Sequence, residues 1–404
     1  MINVALAKNI TFMIPEIPVD LEEVIVVGNI SENPIAMDTS HFFGQREDVS
    51  DVISLKTFEN TEFCPRYISL DPNSEIGENL KNKGVIIASS SSLTETRNEI
   101  AMRNCLVARA AKDNGAKWVV LVEPDLFFSA QDRGPKADQG LPKSLRTKQD
   151  RNKFNGQSFS AKMYAELLKV AGVDEVMTVH NHSDSVQHVF AETFNGHFTN
   201  LLPNRLYARY ILESGIVDVN NIMLCAPDNG ALDFVLKTKD ALGLNDQKHL
   251  LMSKVRSGER KISMDVSPES PARFEEVEGK DVIVIDDMVR TGSTIVKCCK
   301  ILKAYNPRKV IFLVTHFHSS KEGRQNMASN DIDDIITTNT IPSILNRDIQ
   351  GRLRNKIAVL KVSRWVAHHL RIRFGKAKGD LTGKWYQEDI SSKNPRSGFK
   401  YLDL

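Results

Sequence analysis

Short runs rich in valine and isoleucine alternate along the chain with longer segments of helical period, and this alternation limits the fold more than any other feature. The runs include EEVIVVGN, KGVIIASS, AKWVVLVEP and DVIVIDD, and the segments between them include RNEIAMRNCLVARAAKDNG and STIVKCCKILKAYN. Buried parallel strands joined by amphipathic helices give this pattern. We therefore predict an α/β fold of two similar domains, each a largely parallel sheet flanked by helices.

The chain of 404 residues is long enough for two domains, each with its own core. We expect an N-terminal domain over residues 1–200, a C-terminal domain over 201–362 and a C-terminal extension over 363–404. A polar insertion rich in lysine and arginine, residues 134–157, interrupts the first domain. We expect the insertion and the extension each to be either mobile or docked separately. A plain solvated loop is the alternative for the insertion.

Charge and cysteine content exclude several classes of protein. Lys and Arg total 53 against 51 Asp and Glu, so no overall field attracts nucleic acid or a membrane surface. The five cysteines are odd in number and lack CxxC spacing, which is typical of reduced core thiols. Apolar runs stay shorter than the ~18 residues that a membrane span needs. We predict a cytoplasmic protein with neither a nucleic-acid nor a membrane partner.

The stretch DVIVIDDMVRTGST, which begins at Asp281, carries the clearest chemical signal. It predicts a buried strand that ends in Asp286 and Asp287, followed by a hydroxyl-rich turn around Gly292 and then a helix. The backbone N–H groups at a helix N-terminus bind phosphate, while carboxylates accept hydrogen bonds from hydroxyls. Ribose 5-phosphate satisfies both halves of this site. Its predicted ligands are Asp286, Asp287, Arg290, Thr291, Gly292, Ser293 and Thr294.

The stretch resembles the phosphoribosyl-diphosphate (PRPP) loop of type I phosphoribosyltransferases. Five further blocks, in matching order, resemble ribose-phosphate diphosphokinases (PRPP synthetases), closest to the plant-type branch: FENTE (58–62), SAQDR (129–133), TVHNHSDSVQHVF (178–190), APDNGA (226–231) and SKVRSGERKI (253–262). The resemblance implies two phosphoribosyltransferase-like domains. It also implies transfer of the β,γ-diphosphoryl group of ATP to the anomeric hydroxyl of ribose 5-phosphate, which gives PRPP and AMP.

The same resemblance assigns roles to individual residues. It implies ATP binding by Phe58, Asn60, Glu62, Gln131 and Arg133, a Mg²⁺ site at His182 and Asp228, and catalysis by Lys254 and Arg256. The ATP site of the family is shared between subunits. The resemblance therefore also implies a homo-oligomer, a dimer or a higher assembly.

Three positions depart from the family pattern. Ala130 stands where an arginine is usual, His180 replaces an aspartate, and Arg290 stands where aspartate or serine is frequent. Arg97, or a cation of the insertion, is a conceivable substitute for the arginine missing at position 130. These departures keep one alternative open, a non-catalytic relative that regulates a true synthetase. A second alternative is a phosphoribosyltransferase that consumes PRPP, which would share the PRPP loop but would not need the FENTE, HNH and KVR blocks.

Overall fold

The computed structural model describes residues 14–69, 72–141, 146–181, 183–257 and 261–389. The strands are β1 (Glu23–Gly28), β2 (Ile53–Thr57), β3 (Phe63–Tyr67), β4 (Lys83–Ala88), β5 (Trp118–Val122), β6 (Glu175–Val179), β7 (Phe198–Leu201), β8 (Ile222–Ala226), β9 (Leu250–Ser257), β10 (Lys261–Val266), β11 (Asp281–Val289), β12 (Lys309–Phe317), β13 (Asp334–Thr338), β14 (Ile357–Lys361) and β15 (Gln387–Glu388). The helices are α1 (Pro34–Phe43), α2 (Val49–Val52), α3 (Arg97–Asp113), α4 (Lys148–Asn152), α5 (Ser160–Ala171), α6 (Asp184–Thr193), α7 (Asn204–Ser214), α8 (Leu232–Ala241), α9 (Ser293–Lys303), α10 (Lys321–Met327), α11 (Arg347–Gln350) and α12 (Ser363–Arg373). Short 3-10 turns occupy Val219–Asn221, Phe274–Val277, Pro342–Leu345 and Gly351–Lys356.

The first half of the chain forms a parallel sheet with the strand order β1-β4-β5-β6-β7. Every residue of β5 and β6 is buried, because helices cover both faces of the sheet. Helix α3 begins with a capping box in which Thr96 and Glu99 each accept a backbone N–H at the helix start. The antiparallel hairpin β2–β3 forms a separate two-stranded sheet.

The second half forms a larger sheet with the order β10-β9-β8-β11-β12-β13-β14-β15. Its centre, from β9 through β14, is parallel, whereas β10 and β15 join the two edges antiparallel. Two largely parallel sheets flanked by helices confirm the predicted fold class. The exact domain boundaries at residues 200 and 362 stay a prediction.

One hydrophobic core joins the two sheets. Val120 and Met177 of the first sheet belong to the same cluster as Leu224 and Ile283 of the second, and helix α7 lies between them with Tyr207 fully buried. Apolar side chains in contact across the boundary exclude water and hold the two halves together. The carboxyl ends of β6 and β12 meet in this region, where His180 after β6 contacts Thr315 of β12.

The two segments that interrupt the sequence pattern are docked where they are described. Arg146 of the insertion is buried and donates to the carbonyl oxygens of Gly134 and Lys136. Helix α12 of the extension lies against the first half, where Arg373 contacts the buried carboxylate of Glu175. No helix in the described part of the chain is long and apolar enough to cross a membrane.

Candidate active site

The predicted phosphate turn lies at the carboxyl end of β11, in the centre of the second sheet. Gly292 caps α9 with a φ of 75°, and no side chain caps this helix start. The left-handed backbone costs glycine nothing, and a Cβ here would come within 2.4 Å of the Met327 Cε atom. The first N–H groups of α9 therefore remain available to an anion, with the positive end of the helix dipole behind them.

Helix α10 holds the turn from one side. The Ser320 hydroxyl donates to the Arg290 carbonyl oxygen at 2.7 Å, and the Asn326 amide donates to the Thr291 carbonyl oxygen at 2.7 Å. A Cβ on Gly323 would lie 2.5 Å from the same Arg290 oxygen, so the helix packs directly on the turn. Arg290, Thr291 and Ser293 are exposed, and Thr294 is half-buried. The turn is thus fixed in shape while its side chains face solvent.

A cluster of carboxyl groups lies beside the turn. Burial, together with the charges of Asp287 and Asp228, raises the pKa of Asp286 well above its ordinary value. Asp228 follows β8, the strand next to β11, and its carboxylate accepts the backbone N–H of Gly230 at 3.0 Å. The prediction that the strand ends at Asp287 is wrong, because β11 continues to Val289 in register with β12. The sheet brings together three predicted ligands: Asp286 and Asp287 near the carboxyl end of β11, and Asp228 after β8. Such a cluster attracts a cation or hydroxyl donors.

The predicted ATP contacts in the first half lie in two places. Phe58, Asn60 and Glu62 form the tip of the β2–β3 hairpin, where the Phe58 N–H donates to the Glu62 carbonyl oxygen at 2.9 Å. The Phe58 ring is 44% exposed and has the Lys56 ammonium 4.8 Å from its centre. An exposed ring at a hairpin tip is available for stacking, in agreement with the role that the resemblance implies.

Gln131 and Arg133 follow β5, and the insertion surrounds the arginine. The Arg133 guanidinium lies 5.1 Å from the centre of the Phe154 ring and 3.8 Å from an Asp150 carboxylate oxygen. Gly140 packs against its stem, where a Cβ would come within 2.5 Å of Cγ. The sequence predicted Arg133 as a ligand but gave no sign of these contacts. The insertion therefore contacts Arg133, a predicted ATP ligand, and positions its side chain.

The carboxyl end of β6 meets the second sheet. His180 has a φ of 47°, its Nδ1 lies 2.7 Å from the Thr315 hydroxyl, and its ring centre lies 3.9 Å from that of Phe234. His316 is buried and donates from Nε2 to the carbonyl oxygens of Val179 and His180 at 3.0 and 3.2 Å. His180 therefore packs between the halves. The predicted metal ligand His182 lies outside the described residues.

Asp125 is a buried carboxylate near the meeting of the two halves that the sequence did not indicate. It follows β5, is buried, and pairs with Arg97, while His316 lies 3.9 Å away. These charges, and that of His318, keep the pKa of Asp125 below its ordinary value despite the burial. The sequence signal that could have indicated Asp125 is an acidic residue shortly after the fully apolar strand β5.

Lys254 and Arg256 lie on β9, opposite Met264 and Ile262 of β10. The catalytic role of these two residues stays a prediction. Residues 258–260, which join the two strands, lie outside the described part. The following segment is anchored by the buried residues Ala272, Phe274 and Val277.

This fold and the turn after β11 define the class of protein. Residues 204–345 match the family model of the phosphoribosyl transferase domain. The crystal structure of phosphoribosylpyrophosphate synthetase from Mycobacterium smegmatis has the same fold, with a TM-score of 0.68 at 21% identity over 88% of this chain and all of that chain.

Sequence similarity to individual proteins identifies the family within this class. The chain is 30% identical to the ribose-phosphate pyrophosphokinase of Corynebacterium efficiens over 59% of this chain and 70% of that protein. It is 27% identical to ribose-phosphate pyrophosphokinase 2 of Saccharomyces cerevisiae over 70% and 79% of the two chains. The chain belongs to the ribose-phosphate pyrophosphokinase family, which confirms the predicted family. The assignment of the chain to the plant-type branch of this family stays a prediction.

Proposed function

We propose that this protein is a ribose-phosphate diphosphokinase that makes PRPP and AMP from ATP and ribose 5-phosphate. The observation that carries the proposal is the combination at the end of β11: an uncapped helix start at Gly292 beside the carboxyl cluster of Asp286 and Asp228. The helix start suits the 5-phosphate, and the carboxyl groups suit the ribose hydroxyls. Asp287, Arg290 and the hydroxyls of Thr291, Ser293 and Thr294 complete this sugar-phosphate site.

In the proposed reaction the anomeric oxygen attacks the β-phosphorus of ATP in line. A bond forms between that oxygen and the β-phosphorus, and the bond from the β-phosphorus to the oxygen bridging the α-phosphate breaks, so AMP leaves with that oxygen. The protein contributes orientation and charge stabilisation rather than a covalent step. Lys254 and Arg256 stabilise the charge on the transferred group, while Phe58, Asn60, Glu62, Gln131 and Arg133 hold the nucleotide.

Magnesium fits the donor set of this edge. Hard carboxylate oxygens are the ligands that Mg²⁺ prefers, and Asp228 would hold it together with His182 and the nucleotide phosphates. When bound, Mg²⁺ neutralises charge on the ATP phosphates. No group of three or more metal-binding side chains occurs in the described part of the chain, which does not include His182.

The proposal is tested by incubating the purified chain with Mg²⁺, ATP and ribose 5-phosphate and separating the nucleotides formed. We expect AMP and PRPP in equal amounts, both dependent on the sugar. ADP instead of AMP would mean simple phosphoryl transfer and would exclude the proposed reaction. Release of diphosphate from PRPP that depends on an added base would favour the phosphoribosyltransferase alternative. No turnover of a correctly folded chain would favour the regulatory alternative.

The proposal includes a homo-oligomer, because Phe58 at the hairpin tip is expected to serve the ATP site of a neighbouring subunit. It also includes a cytoplasmic location. Light scattering of the purified protein measures the first, and fractionation of cells that express the chain measures the second.

A further inference from the structure

His180, the first residue after β6, has a backbone conformation that few side chains adopt. Its φ is 47°, in the left-handed region, which is uncommon for residues other than glycine. Such a conformation persists only where the surrounding structure holds it, and residues of this kind cluster at functional sites. The contacts of His180 therefore indicate what the residue does.

The backbone of His180 is held by both sheets. Its N–H donates to the Leu201 carbonyl oxygen at 2.9 Å, and its carbonyl oxygen accepts from His316 Nε2 at 3.2 Å. Leu201 ends β7 of the first sheet, whereas His316 belongs to β12 of the second. His180 is 6% exposed, so water does not compete for these bonds. The left-handed conformation is therefore fixed where the two halves of the chain meet.

The imidazole ring of His180 makes two contacts with the second half. Its Nδ1 lies 2.7 Å from the Thr315 hydroxyl, to which the Tyr207 hydroxyl donates at 3.2 Å. Its centre lies 3.9 Å from the centre of the Phe234 ring, with 34° between the two planes. The hydrogen bond fixes the direction of the imidazole, and the ring contact fixes its plane.

The ring contact places His180 against the element that follows the predicted metal ligand Asp228. Phe234 lies in the first turn of α8 and is buried. The loop that carries Asp228 leads directly into this helix, and the Asp228 carbonyl oxygen accepts from the Ala231 N–H at 3.3 Å. His180 is thus packed on a helix whose start is bonded to the loop of one predicted metal ligand.

His180 also begins the turn from β6 to α6, which contains the other predicted metal ligand, His182. The Asn181 N–H donates to Asn200 Oδ1 at 2.8 Å, and the Ser183 N–H donates to Asn181 Oδ1 at 2.9 Å. Hydrogen bonds therefore hold both of the residues that flank position 182. Through His180, this turn and α8 are connected to each other.

From these contacts, and on the basis of the function proposed above, we propose that His180 is a positioning residue for the metal and the nucleotide. It holds the turn after β6 against α8 and thereby sets the separation of the two predicted metal ligands. Its Nδ1 is engaged with the Thr315 hydroxyl, so this atom supports the site instead of coordinating the metal. An aspartate, which is usual at this position in the family, could not make the ring contact with Phe234.

The phosphate turn after β11 has a separate support. Ser320 and Asn326 of α10 hold its backbone at Arg290 and Thr291. Loss of the His180 contacts should therefore weaken the binding of Mg²⁺ and nucleotide but spare the binding of ribose 5-phosphate. Because misplacement of a group by about 1 Å costs up to about 100-fold in rate, we expect an effect of about tenfold.

Calorimetric titration with Mg²⁺ and α,β-methylene ATP tests the proposal without turnover, since a methylene group replaces the oxygen at which the proposed reaction cleaves ATP. His180→Phe keeps a ring beside Phe234 but removes Nδ1, and Thr315→Val removes the hydroxyl. Each should weaken binding of the magnesium–nucleotide complex about tenfold and leave the Kd for ribose 5-phosphate unchanged. The double variant should bind no more weakly than His180→Phe, because both substitutions break the same hydrogen bond.

A conservative variant separates positioning from general stability. Asparagine tolerates the left-handed backbone and carries a polar atom near the position of Nδ1, so His180→Asn should recover most of the affinity that His180→Ala loses. Thr39→Val is the control for loss of a buried hydroxyl. Thr39 is fully buried on α1 and its hydroxyl has no hydrogen-bond partner among the described residues, so nucleotide affinity should not change.

Steady-state kinetics provide a second readout, in which the KM for magnesium ATP should rise in His180→Phe while the KM for ribose 5-phosphate stays constant. Unchanged nucleotide affinity in both His180→Phe and Thr315→Val would overturn the role of His180 alone. Equal losses for the nucleotide and the sugar phosphate, or no recovery in His180→Asn, would do the same. No binding of the magnesium–nucleotide complex by the wild-type chain would overturn the proposed function as well.

Discussion

At the scale of single residues, the proposed site and the fold each depend on positions that tolerate little change. Gly292 has its Cβ direction blocked by Met327, and Glu123 is a fully buried carboxyl in a network of four donors. Lys254 is the cation that the proposed chemistry needs most. Each of them allows a direct test.

Replacing Gly292 by alanine should weaken ribose 5-phosphate binding roughly tenfold, about 1.4 kcal/mol. A left-handed alanine costs about 1–2 kcal/mol, and its Cβ would push Met327 and displace the turn. Gly243 is the matched control, because its φ of 72° is similar and a Cβ there meets nothing within 4 Å. Gly243→Ala should lose stability only. Equal sugar affinities in both variants, measured by calorimetry, would contradict the assigned phosphate site.

Replacing Lys254 by alanine should lower kcat by about 10²–10³, since a charge that acts in the transition state is lost. The Kd for ribose 5-phosphate should change little. Lys248→Ala, at an exposed lysine paired with Glu276 just before β9, is the control and should retain activity. Comparable kcat values for the Lys254 variant and the wild type would exclude the catalytic role.

The Glu123 carboxyl makes stability depend on pH. Burial raises its pKa from 4.5 to about 7, although Phe127 N–H, Asn104, Ser89 and Tyr164 donate to it. The folded state then binds more protons than the unfolded state between these values, so this group's stabilisation is complete below pH 4.5 and declines toward pH 7.

Glu123→Gln should remove that decline. The measurement is the difference in free energy of unfolding between wild type and variant, in urea from pH 4 to 8. Taking the difference cancels the opposite trend of His318, whose depressed pKa makes stability fall as the solution becomes acidic. Parallel curves for the two proteins would show that Glu123 does not titrate in this range.

At the scale of elements, the sequence predicts structures formed by neighbouring residues better than contacts between distant residues. The strand, turn and helix from Asp281 to Lys303 were predicted because each signal lies within a few residues of the next. The pairing of Asp125 with Arg97 and its approach to His316 join elements 28 and 191 residues away, and no local pattern specifies that meeting. The docking of the insertion also depends on such distant contacts.

The insertion should affect the use of ATP alone. Asp150→Asn removes the carboxylate that pairs with the buried Arg146 and lies 3.8 Å from Arg133, and should raise the KM for ATP severalfold, because the insertion no longer holds the predicted ligand in position. The KM for ribose 5-phosphate should not change. Asp138→Asn, at an exposed site of the same insertion, is the control. Steady-state kinetics with each substrate varied in turn measure both constants; an equal rise in the two would indicate general damage.

At the scale of the whole molecule, the extension fastens the end of the chain to its first half. Within the extension, the Phe374 ring packs edge-on against that of Phe43 at 6.0 Å, and just before it Lys361 of β14 pairs with Asp38 of α1 at 2.9 Å. Arg373 contacts the carboxylate of Glu175, which is fully buried and also accepts from the Trp118 indole at 3.3 Å. The last described helix therefore belongs to the packing of the first sheet.

Removing the Arg373 guanidinium should be costly, because Glu175 would be left as a buried charge without its cation. We expect Arg373→Ala to lower the free energy of unfolding by about 3–5 kcal/mol. Arg371→Ala on the exposed side of the same helix should change it by less than about 0.5 kcal/mol. Urea unfolding measures both values, and similar values would mean that the buried pair does not hold the extension.

The hydrophobic cluster that spans both sheets limits how the two halves of the molecule can move. Two bodies that rotate about a hinge would have to separate the side chains that now interlock around α7, at a cost of many apolar contacts. Movement around reactants is therefore expected of small peripheral pieces, such as the β2–β3 hairpin, which forms its own two-stranded sheet. We infer that the central body stays rigid while such a piece changes position.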